Sequence, residues 1–515
     1  MAKFDGGRLA NSVRNGAYGL VFYALTLVLS FVSNRVFVHR LGADMLGLCG
    51  TVSSIVETLN IAELGVGMAM ASILYAPLAS GDRETVAELV AVQGWIYRRV
   101  AVFVALAAVV VMFFFPSIFA GAAVPLPYAY ATCVVMLMGS LSTYLLNYRD
   151  VVLSANQQEY AVTLAYRLPS VLRLVLQILA VEFTDHGYEL WLLLQLGGMA
   201  LTAVMVRGAV ARLHPYLCVP VRLGGALRLK FPEVGRMVGQ VFAHRLASVV
   251  LVRVSPMVVF AFTSLHVVAA YGSYMMISGG LTALFTAVSG GVQGSVGHLV
   301  AQGDSAHSRR AFDMMFAVTC VIAAVCAYGF YAFADPFVSA WVGADMVLGG
   351  APVTLMSVMV YIAISRCVVG QFLSAHGFYA DVWAAFAEAF LNVGLSVSLG
   401  LLWGLSGVLL GVVVSLVVIV LCWKPYYLFC VRLGCGVAGY WWAYVRNAAL
   451  TVAVGWCVSW LCGSVVESGF GSLLWRMAWQ TALYGVLVAS AMCVASSGMR
   501  AALRRGLSLC LRRGA

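Results

Sequence analysis

The sequence predicts an all-α polytopic membrane protein with about 14 transmembrane helices, arranged as two six-helix lobes in parallel repeat plus a C-terminal helix pair. Composition is the first observation: 63% of the 515 residues are hydrophobic and only 10% are charged, with a mean hydropathy of +0.95. Soluble domains carry about 25% charged residues. The second observation is a series of long apolar runs, and the third is an internal repeat. The composition excludes a cytosolic enzyme, a secreted disulfide scaffold and a disordered chain.

Fourteen apolar runs are long enough to cross a membrane, because a spanning helix needs about 20 mostly apolar residues. They are continuous, whereas the strands of a β-barrel alternate over about 10 residues. The predicted spans are 16–38, 45–73, 98–120, 128–148, 163–182, 188–206, 237–262, 268–299, 312–334, 349–372, 382–402, 407–423, 447–462 and 475–497.

The distribution of basic residues predicts the orientation. Of the 31 Lys and Arg residues, 25 fall in segments on one side of the predicted spans. The positive-inside rule therefore places both termini in the cytoplasm. The first apolar run is longer than a signal-peptide core and lacks a small-residue cleavage site, which indicates a retained first span. The net charge of +11 then belongs to cytoplasmic loops beside anionic lipid, and nucleic-acid binding is not predicted.

Sequence landmarks recur in the same order about 220 residues apart. Gly81-Asp82 returns as Gly303-Asp304, and Leu153-Ser154-Ala155 returns as Leu373-Ser374-Ala375. Pro116 returns as Pro336. The repeating unit contains six spans, and an even-numbered unit repeats in parallel, as in transporters with a substrate site between two lobes.

The repeat and the basic segments predict four regions. They are an N-terminal six-helix lobe at 1–206, a basic cytoplasmic connection at 207–236, a C-terminal six-helix lobe at 237–423, and an accessory helix pair with a basic cytoplasmic tail at 424–515.

Charged and amide side chains lie inside several spans. A charge near the bilayer centre costs on the order of 3 kcal/mol on insertion scales, so these residues are expected to face the interior or a wet cavity. We predict a substrate-binding role for Arg35, Arg245, Arg253, Arg173, Asn60, Glu57, Gln177, Glu388 and Asn392. The alternatives are an interhelical hydrogen-bond clamp for any one of them, and, for Arg35, a side chain that reaches the membrane surface.

A second set of residues predicts a hinge. Gly65 and Gly67 follow Glu63 in span two, and each glycine weakens a helix by about 1 kcal/mol. Such sites commonly kink, so Glu63, Gly65 and Gly67 are the expected bending point. Close helix packing through small residues is the alternative.

Three segments near the N-terminus resemble the polysaccharide transporter family. They are Arg40-Leu-Gly-Ala-Asp-Met-Leu-Gly47, Ala62-Glu-Leu-Gly-Val-Gly67, and Leu74-Tyr-Ala-Pro-Leu-Ala79 before Gly81-Asp82. That family includes the Wzx-type O-antigen and capsule repeat-unit flippases, within the multidrug/oligosaccharidyl-lipid/polysaccharide exporter superfamily. Looser agreement covers the first twelve spans.

The resemblance implies a two-lobed helical bundle in the bacterial cytoplasmic (inner) membrane. Such a protein moves undecaprenyl-pyrophosphate-linked oligosaccharide from the cytoplasmic to the periplasmic leaflet, with cavity arginines for the pyrophosphate. Arg35 stands where many members have an arginine late in span one. The implied partners are the lipid-linked oligosaccharide, membrane lipids, and a polysaccharide polymerase with other assembly proteins. No cofactor and no enzymatic activity are expected.

Three alternative functions stay open. They are a cation-coupled multidrug exporter of the same superfamily, a flippase for the peptidoglycan lipid precursor, and a membrane polymerase or ligase of lipid-linked glycans. A multidrug exporter would favour a carboxylate near the middle of span one, and a polymerase or ligase would favour a large periplasmic loop. The sequence has neither. Gly434-Cys-Gly-Val-Ala-Gly439 matches a dinucleotide-binding pattern but lacks a βαβ context.

Overall fold

The computed structural model describes residues 6–60, 66–156, 158–217, 219–239, 255–301, 305–376, 381–463 and 469–513. These residues are almost entirely helical and contain no strand. Within the same ranges, 10 helices are long and apolar enough to cross a membrane. One of them, the 50-residue segment Trp383–Arg432, contains predicted spans eleven and twelve. The prediction of an all-α polytopic membrane protein is confirmed.

The chain divides into two compact units. The first comprises Met1–Phe260 and Ser264–Ala269, and the second Ala261–Thr263 and Ala270–Ala515. The boundaries predicted for the lobes, the connection and the accessory pair stay a prediction.

Among the described residues, seven helices of 15 or more residues in the first unit precede the connection. They are α1 (Gly6–Leu41), α2 (Ala43–Leu59), α3 (Val66–Ser80), α4 (Arg83–Phe113), α5 (Leu126–Ser142), α6 (Glu159–Phe183) and α7 (Gly187–Leu213). A π-helical turn, Thr143–Asn147, and a short helix, Asp150–Ala155, follow α5.

Local sequence explains where several of these helices begin and end. Gly42 has φ 88, a conformation that favours glycine, and separates α1 from α2. Asp82 caps α4 by accepting a hydrogen bond from the Thr85 amide at 3.0 Å. Hydrogen bonds from Thr85 hold the pKa of Asp82 below its usual value. Helix α4 has 31 residues and is about 46 Å long. It begins 15 residues before the predicted span three. Its length exceeds the hydrocarbon thickness of a bilayer, which is about 30 Å.

The connection after α7 packs on this long α4. A Cβ at Gly224 would lie 2.4 Å from the Ala91 carbonyl oxygen, so only glycine allows this close approach. Two guanidinium groups lie over the Trp95 ring, that of Arg99 at 3.9 Å from the ring centroid and that of Arg228 at 5.0 Å. Cation–π contacts of this kind each contribute about 0.5–1 kcal/mol at exposed sites. The basic connection is therefore anchored to the first unit.

Helices α8 (Ser255–Phe262) and α9 (Leu265–Ala301) lie at the boundary between the units. The second unit continues with α10 (Ser305–Trp341), α11 (Gly350–Ser365), a short helix (Cys367–Ala375), α12 (Val382–Ser415), α13 (Ala438–Cys462), α14 (Phe470–Ala495) and α15 (Ser497–Arg513). The short helices Asp150–Ala155 and Cys367–Ala375 both end on the repeated Leu-Ser-Ala landmark.

Helix α12 reverses direction at Trp403 and Gly404, where Gly404 has φ 54. Its two arms are the predicted spans eleven and twelve. A Cβ at Gly407 would lie 1.9 Å from the Leu399 carbonyl oxygen, and one at Gly411 would lie 2.4 Å from the Ser396 nitrogen. The glycines therefore let the arms pack backbone against backbone, as small residues do between membrane helices.

Span two is not one continuous helix over its described part. Helix α2 ends at Leu59, with Asn60 as its C-cap, and α3 begins at Val66. The residues between them, 61–65, lie outside the described ranges. Most of predicted span seven, residues 240–254, lies outside them as well.

Candidate functional site

The described ranges include seven of the nine predicted substrate-binding residues. In the first unit are Arg35, Glu57, Asn60, Arg173 and Gln177, and in the second are Glu388 and Asn392. Arg245 and Arg253 lie outside the described residues, as do the predicted hinge residues Glu63 and Gly65.

Arg173 and Gln177 lie one turn apart on α6, and both bond to Gln195 on α7. The Arg173 guanidinium donates to Gln195 Oε1. Gln177 Nε2 donates to the same oxygen at 3.2 Å and to the Trp191 carbonyl oxygen at 2.9 Å. Gln177 is 1% exposed, so its amide depends on these partners. Gln195 therefore joins two of the predicted site residues into one polar contact between helices.

A glycine on α7 makes room for the long arginine side chain. A Cβ at Gly198 would lie 2.7 Å from Cδ of Arg173 and 3.2 Å from its Cβ and Cγ. The aliphatic stem of Arg173 therefore passes over Gly198, and its guanidinium reaches Gln195, three residues earlier on α7. In a helix, residues three apart share a face, which places both groups opposite the same side of α6.

Asn60 lies at the end of α2 and contacts α5. Its Nδ2 donates to Ser140 Oγ at 2.7 Å, while its Oδ1 is buried and accepts no hydrogen bond from the described residues. Glu57, half-buried, lies about one turn before it on α2. An acceptor that is buried and unused is uncommon in folded proteins, and it leaves Asn60 able to accept a hydrogen bond from a bound molecule.

Helix α5 contacts both α2 and α7, the helices that carry Asn60 and Gln195. Gly139, beside Ser140, faces Met199 on α7, where an added Cβ would lie 2.6 Å from the Met199 methyl carbon. We call Asn60, Ser140, Arg173, Gln177 and Gln195 the polar layer. Measured from the ends of their helices on the predicted periplasmic side, Gln195 lies about 12 Å deep, Arg173 about 15 Å and Ser140 about 21 Å. The polar layer therefore lies at depths within the hydrocarbon core.

In the second unit, Asn392 bridges the two arms of α12. Its Nδ2 donates to Ser415 Oγ at 3.2 Å, and one turn away Ser396 Oγ donates to the Val408 carbonyl oxygen at 3.0 Å. Glu388 is 7% exposed, and the charges that act on it are those of Arg366 and Lys424. Interhelical clamping accounts for the contact of Asn392, and its role in substrate binding stays a prediction.

Arg35 and Gly67 lie apart from the polar layer's hydrogen bonds. The Arg35 side chain is exposed on α1, about 9 Å before the end of that helix. Gly67 is in the first turn of α3, where an added Cβ would lie 3.3 Å from the Tyr97 hydroxyl. Gly67 therefore makes a close helix contact, and its role as a hinge stays a prediction.

The sequence analysis did not include Gln195, Ser140 or Ser415. Gln195 is an amide within the apolar run of span six, so the rule that selected Gln177 also applies to it. The two serines carry no such signal, because serine is common in membrane helices at packing contacts. The described residues hold no group of three or more His, Cys, Asp or Glu side chains suited to a metal ion.

Two solved structures are similar to this chain over most of its length. One is a lipid II flippase, MurJ, in an inward closed conformation, with a TM-score of 0.65 and 13% identity, covering 92% of this chain and 99% of that one. The other is an inward-facing multidrug resistance MATE family transporter of the MOP superfamily, with a TM-score of 0.60 and 13% identity, covering 84% and 98%. This chain has the fold of these transporters. No family model and no curated protein matches the sequence.

Proposed function

We propose that this protein is a flippase that moves an undecaprenyl-pyrophosphate-linked oligosaccharide, the repeat unit of a surface polysaccharide, from the cytoplasmic to the periplasmic leaflet by alternating access. The observation that carries the proposal is the polar layer, a charged and amide-rich set of side chains at membrane depth in a chain with a transporter fold.

The chemistry of the polar layer suits a phosphorylated glycan. A guanidinium binds phosphate oxygens through two parallel N–H donors, and Arg173 offers one at membrane depth. Amides both donate and accept hydrogen bonds, as sugar hydroxyls require, and the unused Oδ1 of Asn60 is such an acceptor. Arg35, Arg245, Arg253, Glu57, Glu388 and Asn392 are proposed to complete the substrate path.

The surface-polysaccharide substrate is favoured by the three segments between Arg40 and Asp82 that resemble the polysaccharide transporter family. A second candidate is the peptidoglycan lipid precursor, because one of the similar folds is that of a lipid II flippase. Both substrates are polyprenyl-pyrophosphate-linked sugars. They differ in the glycan.

The location and partners follow from the same proposal. The protein would lie in the bacterial cytoplasmic membrane with both termini in the cytoplasm, since 25 of its 31 cations lie on that side of the predicted spans. Its partners would be a polysaccharide polymerase and other assembly proteins. Because the sequence contains no ATP-binding P-loop of the form Gly-x-x-x-x-Gly-Lys-Ser/Thr, turnover would use the membrane potential or an ion gradient.

Flipping can be measured in proteoliposomes with a fluorescent undecaprenyl-pyrophosphate-linked oligosaccharide, by following the fraction of label that an external quencher reaches. We expect Arg245→Ala and Arg253→Ala to abolish flipping and Arg173→Ala to reduce it strongly. Arg167→Ala is the matched control, because Arg167 lies on the same helix as Arg173 and is exposed. A parallel assay with lipid II separates the two substrates. Unchanged flipping in all three variants would refute the assignment of these arginines, and flipping without any gradient would refute the energy source.

A further inference from the structure

A cavity of about 830 Å³ lies in the first unit, and its lining includes four arginines and no residue of the polar layer. These are Arg98 of α4, Arg149 after α5, Arg207 of α7 and Arg222 of the connection. We call it the arginine pocket. Its volume is in the range of sites that hold small molecules, and it exceeds what one side chain would need.

Close packing brings the four segments of the arginine pocket together. A Cβ at Gly94 on α4 would lie 2.8 Å from the Tyr148 ring and 3.0 Å from Cγ1 of Val221. Tyr148 and Val221 both line the pocket. Gly94 therefore lets the segment after α5 and the connection approach α4 together. The π-helical turn Thr143–Asn147 contributes Leu145 and Leu146 to the same wall, and such turns occur frequently at functional sites.

Among the described residues, no carboxylate forms an ion pair that would offset the positive charge of the arginine pocket. No Asp or Glu occurs among the described residues that line it, and no described carboxylate forms an ion pair with any of the four arginines. Arg149 Nε instead donates to the Tyr148 hydroxyl at 3.1 Å, which fixes its direction. Four guanidinium groups around one cavity repel one another unless an anion lies between them.

His214, also in the wall, is a structural group and adds no charge. It is 4% exposed, and burial lowers its pKa, so the neutral ring is favoured. A neutral ring has one donor and one acceptor, which matches its two neighbours, Gln158 Oε1 at 2.9 Å and the Tyr216 hydroxyl at 2.9 Å. These bonds hold the turn that leads from α7 into the connection.

The remaining wall is mostly apolar and lies at the predicted cytoplasmic boundary of the membrane. Leu145 is 43% exposed, and Val206, Val210 and Ala211 of α7 lie beside it. The sequence places Arg98, Arg149 and Arg207 at the predicted cytoplasmic ends of spans three, four and six. A cationic cavity beside an apolar surface at this depth matches the chemistry of a phospholipid, which has a phosphate next to acyl chains.

We propose that the arginine pocket binds the phosphate head group of an anionic phospholipid from the cytoplasmic leaflet. The head group joins Arg222 of the connection to arginines from three spans, and so ties the connection between the two repeats to the first unit. Basic pockets between membrane helices on this side bind anionic lipid head groups in other proteins. This site is separate from the proposed transport path and does not depend on what the protein transports.

Native mass spectrometry of the detergent-purified full-length protein tests the proposal, with phosphatidylglycerol and phosphatidylcholine added separately. We expect clear preference for phosphatidylglycerol, and about thirty-fold weaker binding of it by the R207Q/R222Q variant. R212Q/R236Q is the matched control, because Arg212 and Arg236 are exposed, flank the same segments and do not line the cavity. It should bind as the parent does.

Three outcomes would overturn the proposal. They are equal binding of the two lipids, an unchanged preference in R207Q/R222Q, and an equal loss in the control variant, which would indicate general surface charge. If inorganic phosphate alone raises Tm as much as phosphatidylglycerol does, the site binds free phosphate and the lipid proposal is wrong. If R207Q/R222Q does not fold, R98Q/R222Q makes the same prediction with a different pair.

Discussion

Replacing Gln195 by alanine removes the centre of the polar layer and leaves its neighbours in place. Gln195 Oε1 accepts hydrogen bonds from the Arg173 guanidinium and, at 3.2 Å, from Gln177 Nε2. In Gln195→Ala, Gln177 keeps its bond to the Trp191 carbonyl oxygen at 2.9 Å. Arg173 keeps no acceptor among the described residues. The variant therefore tests whether Arg173 depends on this contact.

The expected loss follows from counting these two bonds. Hydrogen bonds between membrane helices contribute about 0.6 kcal/mol on average and about 1.7 kcal/mol at most. Bonds to a charged group are about twice as strong as neutral ones. An average value for Gln177 and a value near the maximum for Arg173 together predict a loss of about 2 kcal/mol in the free energy of unfolding. The Arg173–Gln195 pair alone should account for more than about 1 kcal/mol.

A double-mutant cycle measures that pair directly. The free energy of unfolding is measured in mixed micelles for Arg173→Leu, Gln195→Ala and the double variant, and the departure from additivity is the coupling energy. Arg167→Leu replaces Arg173→Leu in a control cycle, because exposed Arg167 lies on the same helix. We expect coupling of about 1 kcal/mol or more in the first cycle and none in the control. Equal coupling in the two cycles would refute the argument.

Two further predictions concern the packing of α12 and the connection. Gly411→Ala should lower the free energy of unfolding by about 1–3 kcal/mol, because the new Cβ would lie 2.4 Å from the Ser396 nitrogen. Gly394→Ala is the control on the same helix, since its Cβ would meet nothing within 4 Å and should not destabilise the protein. Equal effects of the two substitutions would contradict the packing of the two arms. Burial holds the pKa of His214 below its ordinary value of 6.5, so the unfolded chain takes up the proton first on acidification. The stability that the neutral ring contributes is complete above pH 6.5 and falls as the pH drops below it. Amide protection factors of the connection, obtained by correcting exchange rates for the intrinsic pH dependence of exchange, should therefore fall between pH 7.5 and 5.5 in the parent but not in His214→Gln.

The sequence predicted the membrane class and most helices, because long apolar runs have few alternatives in a bilayer. It also predicted the reversal between spans eleven and twelve, where Trp403 and Gly404 interrupt the helix. It did not predict the end of α2 at Leu59, since the apolar run continues through that position and hydropathy does not report a break. Nor did it predict how far α4 extends beyond the membrane, because the polar residues of its first half resemble those of a loop.

The candidate site shows the same division. The sequence selected Arg173 and Gln177 because polar groups embedded in a membrane need partners. The same reasoning does not identify which residue of another helix is the partner. Gln195 was identified as their common partner only by the packing of α6 on α7, which depends on the space over Gly198. The arginine pocket is similar. From the sequence, each of its arginines is predicted only to lie on the cytoplasmic side, and nothing indicates that the four line one cavity.

The sequence by itself therefore determined that this protein is a helical membrane protein and which polar residues require an explanation. These properties depend on the free energy of transferring each segment into lipid, which is a sum over residues close in the chain. The tertiary structure decided that Arg173 meets Gln195, and that Arg98, Arg149, Arg207 and Arg222 line one cavity. Those contacts join residues far apart in the chain, and they depend on where glycines such as Gly94 and Gly198 let helices come close.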